Sequence, residues 1–145
     1  MGKSLNEVDP VVGMVGTDAI KRHVNHRLAR DEHVAVCYVD ILHIQPFRHV
    51  YGAERYTEVL KLTAEILEGT RTGLTFFDSF LGHMGGTDFV AVLTMDQYEP
   101  YCRTVLSSFE QRIPTYYRAV ERKQGYVIYR DGKGRESKAP LMHLS

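Results

Sequence analysis

The sequence has no tryptophan, only two cysteines and no surplus charge of either sign: 18 Lys+Arg are balanced by 18 Asp+Glu. Each scarcity argues against something. A general binder of nucleic acid or of a polyanionic membrane surface needs a basic excess that is missing here. Cys37 and Cys102 are far apart in sequence, each in an apolar stretch. Two such residues make neither a disulfide framework nor a zinc site, and they read as buried free thiols in a reducing cytoplasm. No apolar run approaches the roughly 20 residues needed to span a bilayer. Residues 1–10 lack the apolar stretch and cleavage site of a signal peptide.

What is present is ample core material. The chain has 145 residues, 43% hydrophobic and 25% charged, which excludes global disorder and suffices for one domain without disulfides or a structural metal. No repeat or low-complexity tract divides residues 1–145, so they read as a single domain.

The periodicities place the elements. Thr17, as a helix cap, and Asp18 open a helix in which Ile20, Val24 and Leu28 form one apolar stripe. Residues 34–41 (VAVCYVDI) are nearly unbroken apolar and rich in β-branched side chains, the pattern of a central strand covered on both faces. That strand carries one carboxylate, Asp40, near its end. After a short irregular or helical connection containing Pro46 and Gly52, residues 53–68 form a helix on the face Tyr56, Val59, Leu60, Thr63 and Leu67, with Gly69 at its stop. Residues 76–84 and 89–93 read as strands joined by the turn Gly85-Gly86. Tyr98, Cys102, Val105, Leu106 and Phe109 define another helix ending near Pro114. A peripheral hairpin follows over residues 126–129 and 137–141, and residues 141–145 look like the start of one more strand. The fold class is therefore α/β or α+β, a sheet with helices packed on it.

Four segments in this order resemble a known family. Gly85-Gly86-Thr87-Asp88-Phe89 resembles the five-residue signature of GGDEF domains, the diguanylate cyclase family, with one change. Asp9-Pro10-Val11-Val12-Gly13-Met14 resembles its opening D-P-L-T-G-L element. Residues 38–42 (YVDIL) resemble the strand ending D-x-D, and Tyr51-Gly52 resembles the Y-G-x-x-x-G-D segment. The resemblance implies an antiparallel-centred sheet flanked by helices, a ferredoxin- or palm-like βααββαβ fold. It also implies a C-terminally truncated domain, because in the family the strand begun at residues 141–145 continues and is followed by a helix with a K-x-x-x-R phosphate-binding element.

Active members join two GTP molecules into cyclic di-GMP at a site shared by a homodimer. That chemistry needs Mg²⁺ to activate a 3′-hydroxyl and neutralise the triphosphate. By resemblance, Asp40 is the first metal carboxylate and Ile41 supplies a backbone carbonyl. Leu42, however, replaces the second acid of D-x-D. Thr87 replaces the signature acid, and a threonine hydroxyl is neither a charged Mg²⁺ ligand nor a base at neutral pH. Asp88 remains next door, but side chains alternate faces along a strand, so its joining Asp40 on a metal is a second option rather than the default. The guanine-binding Asn and Asp positions hold Arg48 and Thr57, and Arg is a donor only. The phosphate-facing Lys is Gln45, followed by Pro46. At the inhibitory R-x-x-D site stand Phe76 and Ser79; with a one-residue slip Asp78 takes the acid slot, with no neighbouring Arg in sequence.

Plain structural roles compete at each position. Asp40 fits a solvated strand end, His83 a strand residue, His43 a loop residue and Gly85-Gly86 a turn requirement. The tyrosines at 98, 101, 116 and 117 fit helix-face packing, and Arg118, Arg122 and Lys123 a solvated surface. Together these features describe a degenerate GGDEF domain acting as a regulatory, dimerisation or nucleotide-sensing module, with a signalling protein, GTP or cyclic di-GMP as possible partners and Mg²⁺ accompanying any bound nucleotide. The alternatives are a divergent cyclase using Asp40 and Asp88, a non-catalytic nucleotide receptor, and an unrelated ferredoxin-like domain. Only the last separates Asp40 from Thr87 in space.

Overall fold

The computed structural model describes residues 8–145. A four-stranded sheet in the order β2-β3-β1-β6 is built from β1 (Val34–Leu42), β2 (Phe80–His83), β3 (Asp88–Thr94) and β6 (His143–Leu144), and its named pairings are antiparallel. The strands are interleaved with α1 (Thr17–Ala29), α2 (Ile44–Tyr51), α3 (Ala53–Gly73) and α4 (Tyr98–Arg112). A 3₁₀ turn at Ile113–Tyr116 and a short α5 (Ala119–Gln124) lead into a separate hairpin, β4 (Tyr126–Arg130) with β5 (Glu136–Pro140). The expected antiparallel-centred βααββαβ arrangement is therefore present. Among the described residues, no helix is long and apolar enough to cross a membrane.

One face of the sheet carries the main core. Val39 and Ile41 of β1 meet Phe47 of α2, Val59 and Leu67 of α3, and Tyr101, Val105 and Phe109 of α4 in one buried cluster. Tyr101 also donates its hydroxyl to the Leu67 carbonyl at 2.9 Å, so its polar end is satisfied inside the apolar layer. On the other face, Ile20 of α1 packs on Val90 and Val92 in a smaller cluster. Gly82 permits this approach, because a Cβ there would lie 2.4 Å from the Ile20 side chain.

Several local expectations are corrected. β1 is central but open on one face, with Val36 at 38% and Tyr38 at 68% exposure; the strand covered on both faces is β3, buried from Phe89 through Leu93. On that face α1 packs mainly against β2, with Ile20 on Val90 and Val92 of β3. Thr17 is not the cap of α1; Gly16 is, without a side-chain cap hydrogen bond. The α1 stripe turns inward at Arg27 rather than Leu28, which is exposed. Buried Arg27 is compensated by Glu32 at 3.2 Å and by the Asp78 carbonyl at 3.1 Å. Gly69 does not stop α3. Buried Thr70 carries the helix on to Gly73, and packing outweighs the propensity cost of a mid-helix glycine. The strand expected from residue 76 begins only at Phe80, after a turn entered through Thr75 at φ 58°. In α4, Tyr98 and Leu106 are exposed and Tyr101 takes the buried position.

Candidate functional site

The C-terminal end of β1 and the β2–β3 hairpin meet on the open face of the sheet. Asp40 stands directly opposite Asp88 in the β1–β3 register. Asp40 exchanges backbone hydrogen bonds with Ser145 on the opposite side of the strand, its N–H donating at 2.9 Å and its carbonyl accepting at 3.0 Å. The Asp40–Asp88 pair is thus of the non-hydrogen-bonded type, in which opposed side chains come closest. The same alternation turns the Ile41 carbonyl toward the hairpin side. Thr87, just beyond the paired residues, donates its hydroxyl to Asp40 Oδ1 at 3.2 Å. Partial desolvation, followed by the hydrogen bond to Asp40 and its charge, pushes the Asp88 carboxyl above its ordinary range, with His83 opposing. Asp40 and Thr87 are in contact, which overturns the reading as an unrelated fold with the two far apart. Register also settles the alternation question: Asp88 and Asp40 share one face.

The hairpin turn depends on its glycines, Gly85 at φ 98° and Gly86 at φ 57°. It is braced from below by a residue whose role the sequence does not signal. His83 is buried; its Nε2 lies 2.9 Å from the Gly86 carbonyl and its Nδ1 3.6 Å from Asp9 Oδ2. Asp9 in turn accepts the backbone N–H groups of Val11 and Val12 at 2.7 and 3.3 Å. The opening D-P element and the glycine turn, some 75 residues apart in sequence, are thereby joined through one imidazole. Only the D-P match pointed there, and it carried no hint of the partner.

The same architecture occurs in solved structures. The GGDEF domain of TpbB (YfiN) from Pseudomonas aeruginosa aligns with a TM-score of 0.64 at 13% identity, over 96% of this chain and 72% of that one. The GGDEF domain of DgcB from Caulobacter crescentus, in complex with c-di-GMP, aligns with a TM-score of 0.67 at 10% identity, over 100% and 77%. Diguanylate cyclase SiaD from Pseudomonas aeruginosa, in complex with its activator SiaC, aligns at 0.65 and 16%, over 97% and 48%. The chain has the GGDEF-domain fold. No family model matches the chain, and no curated protein matches it.

Within this GGDEF fold, other singled-out residues occupy two further places. Gln45 and Arg48 of α2 line a cleft of about 370 Å³ with His49 and Ala53. The Arg48 guanidinium lies over the Tyr56 ring, 4.6 Å from its centroid. Thr57 is half-buried on α3 and does not line that cleft. At the position of the inhibitory site, Ser79 is buried and donates its hydroxyl to the Phe76 carbonyl. Asp78 is occupied as well, its carboxylate accepting from Gln97 Nε2 at 2.8 Å. An arginine does approach here, but Arg27 reaches the Asp78 carbonyl and not its carboxylate.

Arg118, Arg122 and Lys123 are exposed, as expected of a solvated surface, but Glu121 among them is not. Glu121 is buried and accepts from the Tyr51 hydroxyl and from Arg118 Nε, while Tyr51 accepts the Arg118 backbone N–H at 2.9 Å. Burial and the hydrogen bond to Glu121 raise the Tyr51 hydroxyl above its usual value.

Whether this site suits the divalent cation associated with the fold depends on its donors. Asp40, Asp88 and the Ile41 carbonyl are the oxygens at hand. Among the described residues no group of three or more His, Cys, Asp or Glu is placed to hold an ion. Mg²⁺ is commonly held by one or two carboxylates together with substrate phosphates. The donors fit an ion that arrives with a nucleotide and do not amount to an all-protein cage.

Proposed function

We propose that this chain is a degenerate GGDEF domain of the cyclic di-GMP signalling type, working in the cytoplasm as a regulatory, dimerisation or nucleotide-sensing module without diguanylate cyclase activity. The observation that carries the reading is Thr87, which stands where the signature acid is expected and spends its hydroxyl on Asp40. Cyclisation of GTP needs a group that draws the proton from a 3′-hydroxyl, and a threonine has no accessible charge state for this at neutral pH. The base-recognition positions point the same way. Arg48 is engaged with Tyr56, and neither it nor Thr57 reproduces an amide and a carboxylate on a guanine edge. A protein partner or second copy is one use for such a scaffold, and the SiaD–SiaC complex is a precedent for a GGDEF-fold protein in complex with another protein.

The opposed carboxylates Asp40 and Asp88 favour a second reading, a divergent cyclase. Here they would hold the Mg²⁺ of a bound triphosphate, which supplies charge neutralisation at the phosphates when present. The chain's own part would be to orient that nucleotide in the cleft beside Arg48. Incubation with GTP and Mg²⁺, with chromatography for cyclic di-GMP, separates the readings. No product is expected; product that disappears in Asp40→Ala establishes the cyclase. Calorimetry with GTP and with cyclic di-GMP tests the sensing role, and absence of heat with both leaves the protein-interaction role.

A further inference from the structure

Cys37 and Cys102 are the chain's only cysteines, 65 positions apart, and the fold brings their sulfurs to 3.8 Å. Cys37 lies on the core-facing side of β1, opposite Ala91 and three residues before Asp40. Cys102 lies on α4, next to the Tyr101 that is anchored on α3. Both thiols are half-buried rather than buried, and both pack at the edge of the main cluster. Two unrelated core thiols have no need to touch. Here the Cys102 thiol points at the Cys37 sulfur across the joint between the sheet and the helical layer.

We propose that Cys37 and Cys102 form an intramolecular disulfide when the protein meets a peroxide, covalently tying β1 to α4. The chemistry balances as follows. One thiolate sulfur attacks a peroxide oxygen, breaking the O–O bond and giving a sulfenic acid and, after protonation, one water. The second thiol attacks the sulfenic sulfur, the S–S bond forms, and the hydroxyl leaves as a second water. Two thiols and one hydrogen peroxide thus become one disulfide and two waters. The sulfurs must close from 3.8 Å to a bond of about 2.05 Å. Burial, then the neighbouring Cys102, pushes the Cys37 thiol up to about 12, so Cys37 is protonated at neutral pH and reacts slowly. Peroxide is small enough to reach a half-buried sulfur where a bulky disulfide reagent is hindered.

The full chain is treated with excess hydrogen peroxide overnight, quenched, alkylated in denaturant and mapped without reductant. The expected map contains one linked peptide pair, Cys37 with Cys102, in monomeric protein, and alkylatable thiols fall from two to none. Dithiothreitol restores both. The oxidised chain should melt about 5 °C or more above the reduced one, because the crosslink restricts the unfolded chain. Cys37→Ser and Cys102→Ser should each abolish the linked pair and the shift. The wild-type map alone still decides the matter if either variant fails to fold. Thiols that remain alkylatable, separate sulfinic or sulfonic cysteines, or crosslinks between chains would each overturn the proposal. Cleavage at Lys and Arg leaves Met84 and Met95 on the peptide of Cys102, so the linked pair is identified by its fragment ions with methionine oxidation allowed.

Discussion

Asp40 and Asp88 face each other across β1 and β3 with no intervening hydrogen-bonded rung, one carboxylate from each strand, at the open end of the sheet. Directly opposed like charges destabilise a sheet pair. Here the cost is softened by Thr87, which donates to one of them, and by the raised Asp88 carboxyl.

This arrangement predicts a pH dependence. A raised carboxyl means that the folded chain holds the Asp88 proton more tightly than the unfolded one. That contribution to stability is complete below the unfolded value and is lost as pH rises through the folded one. Asp88→Asn removes the loss. Urea melts should find the variant more stable than wild type at pH 7, by about 0.5 kcal/mol at most because an exposed pair is screened. The difference should vanish below about pH 4 and shrink in high salt. A variant less stable than wild type at pH 7 would contradict the pairing.

The contact between Gly82 and Ile20 makes a packing prediction. A Cβ at Gly82 would lie 2.4 Å from Ile20 Cδ1 and Cγ1 and 3.2 Å from the Val15 carbonyl oxygen. Ile20 is buried and β-branched, so it has little freedom to retreat. Gly82→Ala should cost about 1–3 kcal/mol in denaturant unfolding. Ile20→Val deletes Cδ1, and in that background the same substitution should cost less. Equal costs in both backgrounds would place the strain elsewhere, at the Val15 carbonyl.

Tyr51 ties the end of α2 to the start of α5. Tyr51→Phe leaves Glu121 without one donor and the Arg118 N–H without its acceptor. The expected loss is about 1–3 kcal/mol, since a buried acceptor is left underused. Hydrogen exchange should localise the loosening to residues 117–125. Exchange unchanged there would mean that Arg118 alone holds Glu121.

Much of this fold was legible locally. The β-branched run at 34–41, the face Val59, Leu60, Thr63 and Leu67, and the Gly85-Gly86 turn each announce their element, because the needed information lies within one stretch of chain. What was not legible is what depends on distant partners. Gly69 stays helical because Thr70 is buried by the rest of the molecule. Glu121 looks like a break in a basic surface until Tyr51 arrives from α2. At the site, Thr87 lies in the turn just before β3, so strand alternation does not separate it from Asp88, and both reach Asp40. That Asp88 stands directly across from Asp40 follows only from the register between β1 and β3, and register is a property of two strands together.

The final prediction concerns the signature position itself. In Thr87→Glu the hydroxyl that donates to Asp40 is replaced by a third carboxylate beside Asp40 and Asp88. Without metal, three like charges at one strand end should lower the melting temperature relative to wild type. Millimolar Mg²⁺ should recover most of that loss, because an ion bound only by the folded chain stabilises it by mass action. Wild type, with two carboxylates and a threonine, should respond far less. Cyclic di-GMP formation should remain absent from the variant, since Leu42, Arg48 and Thr57 still occupy the positions of the second D-x-D acid and the guanine contacts. Turnover restored by this one change would mean that those positions are dispensable and that Thr87 alone keeps the domain silent.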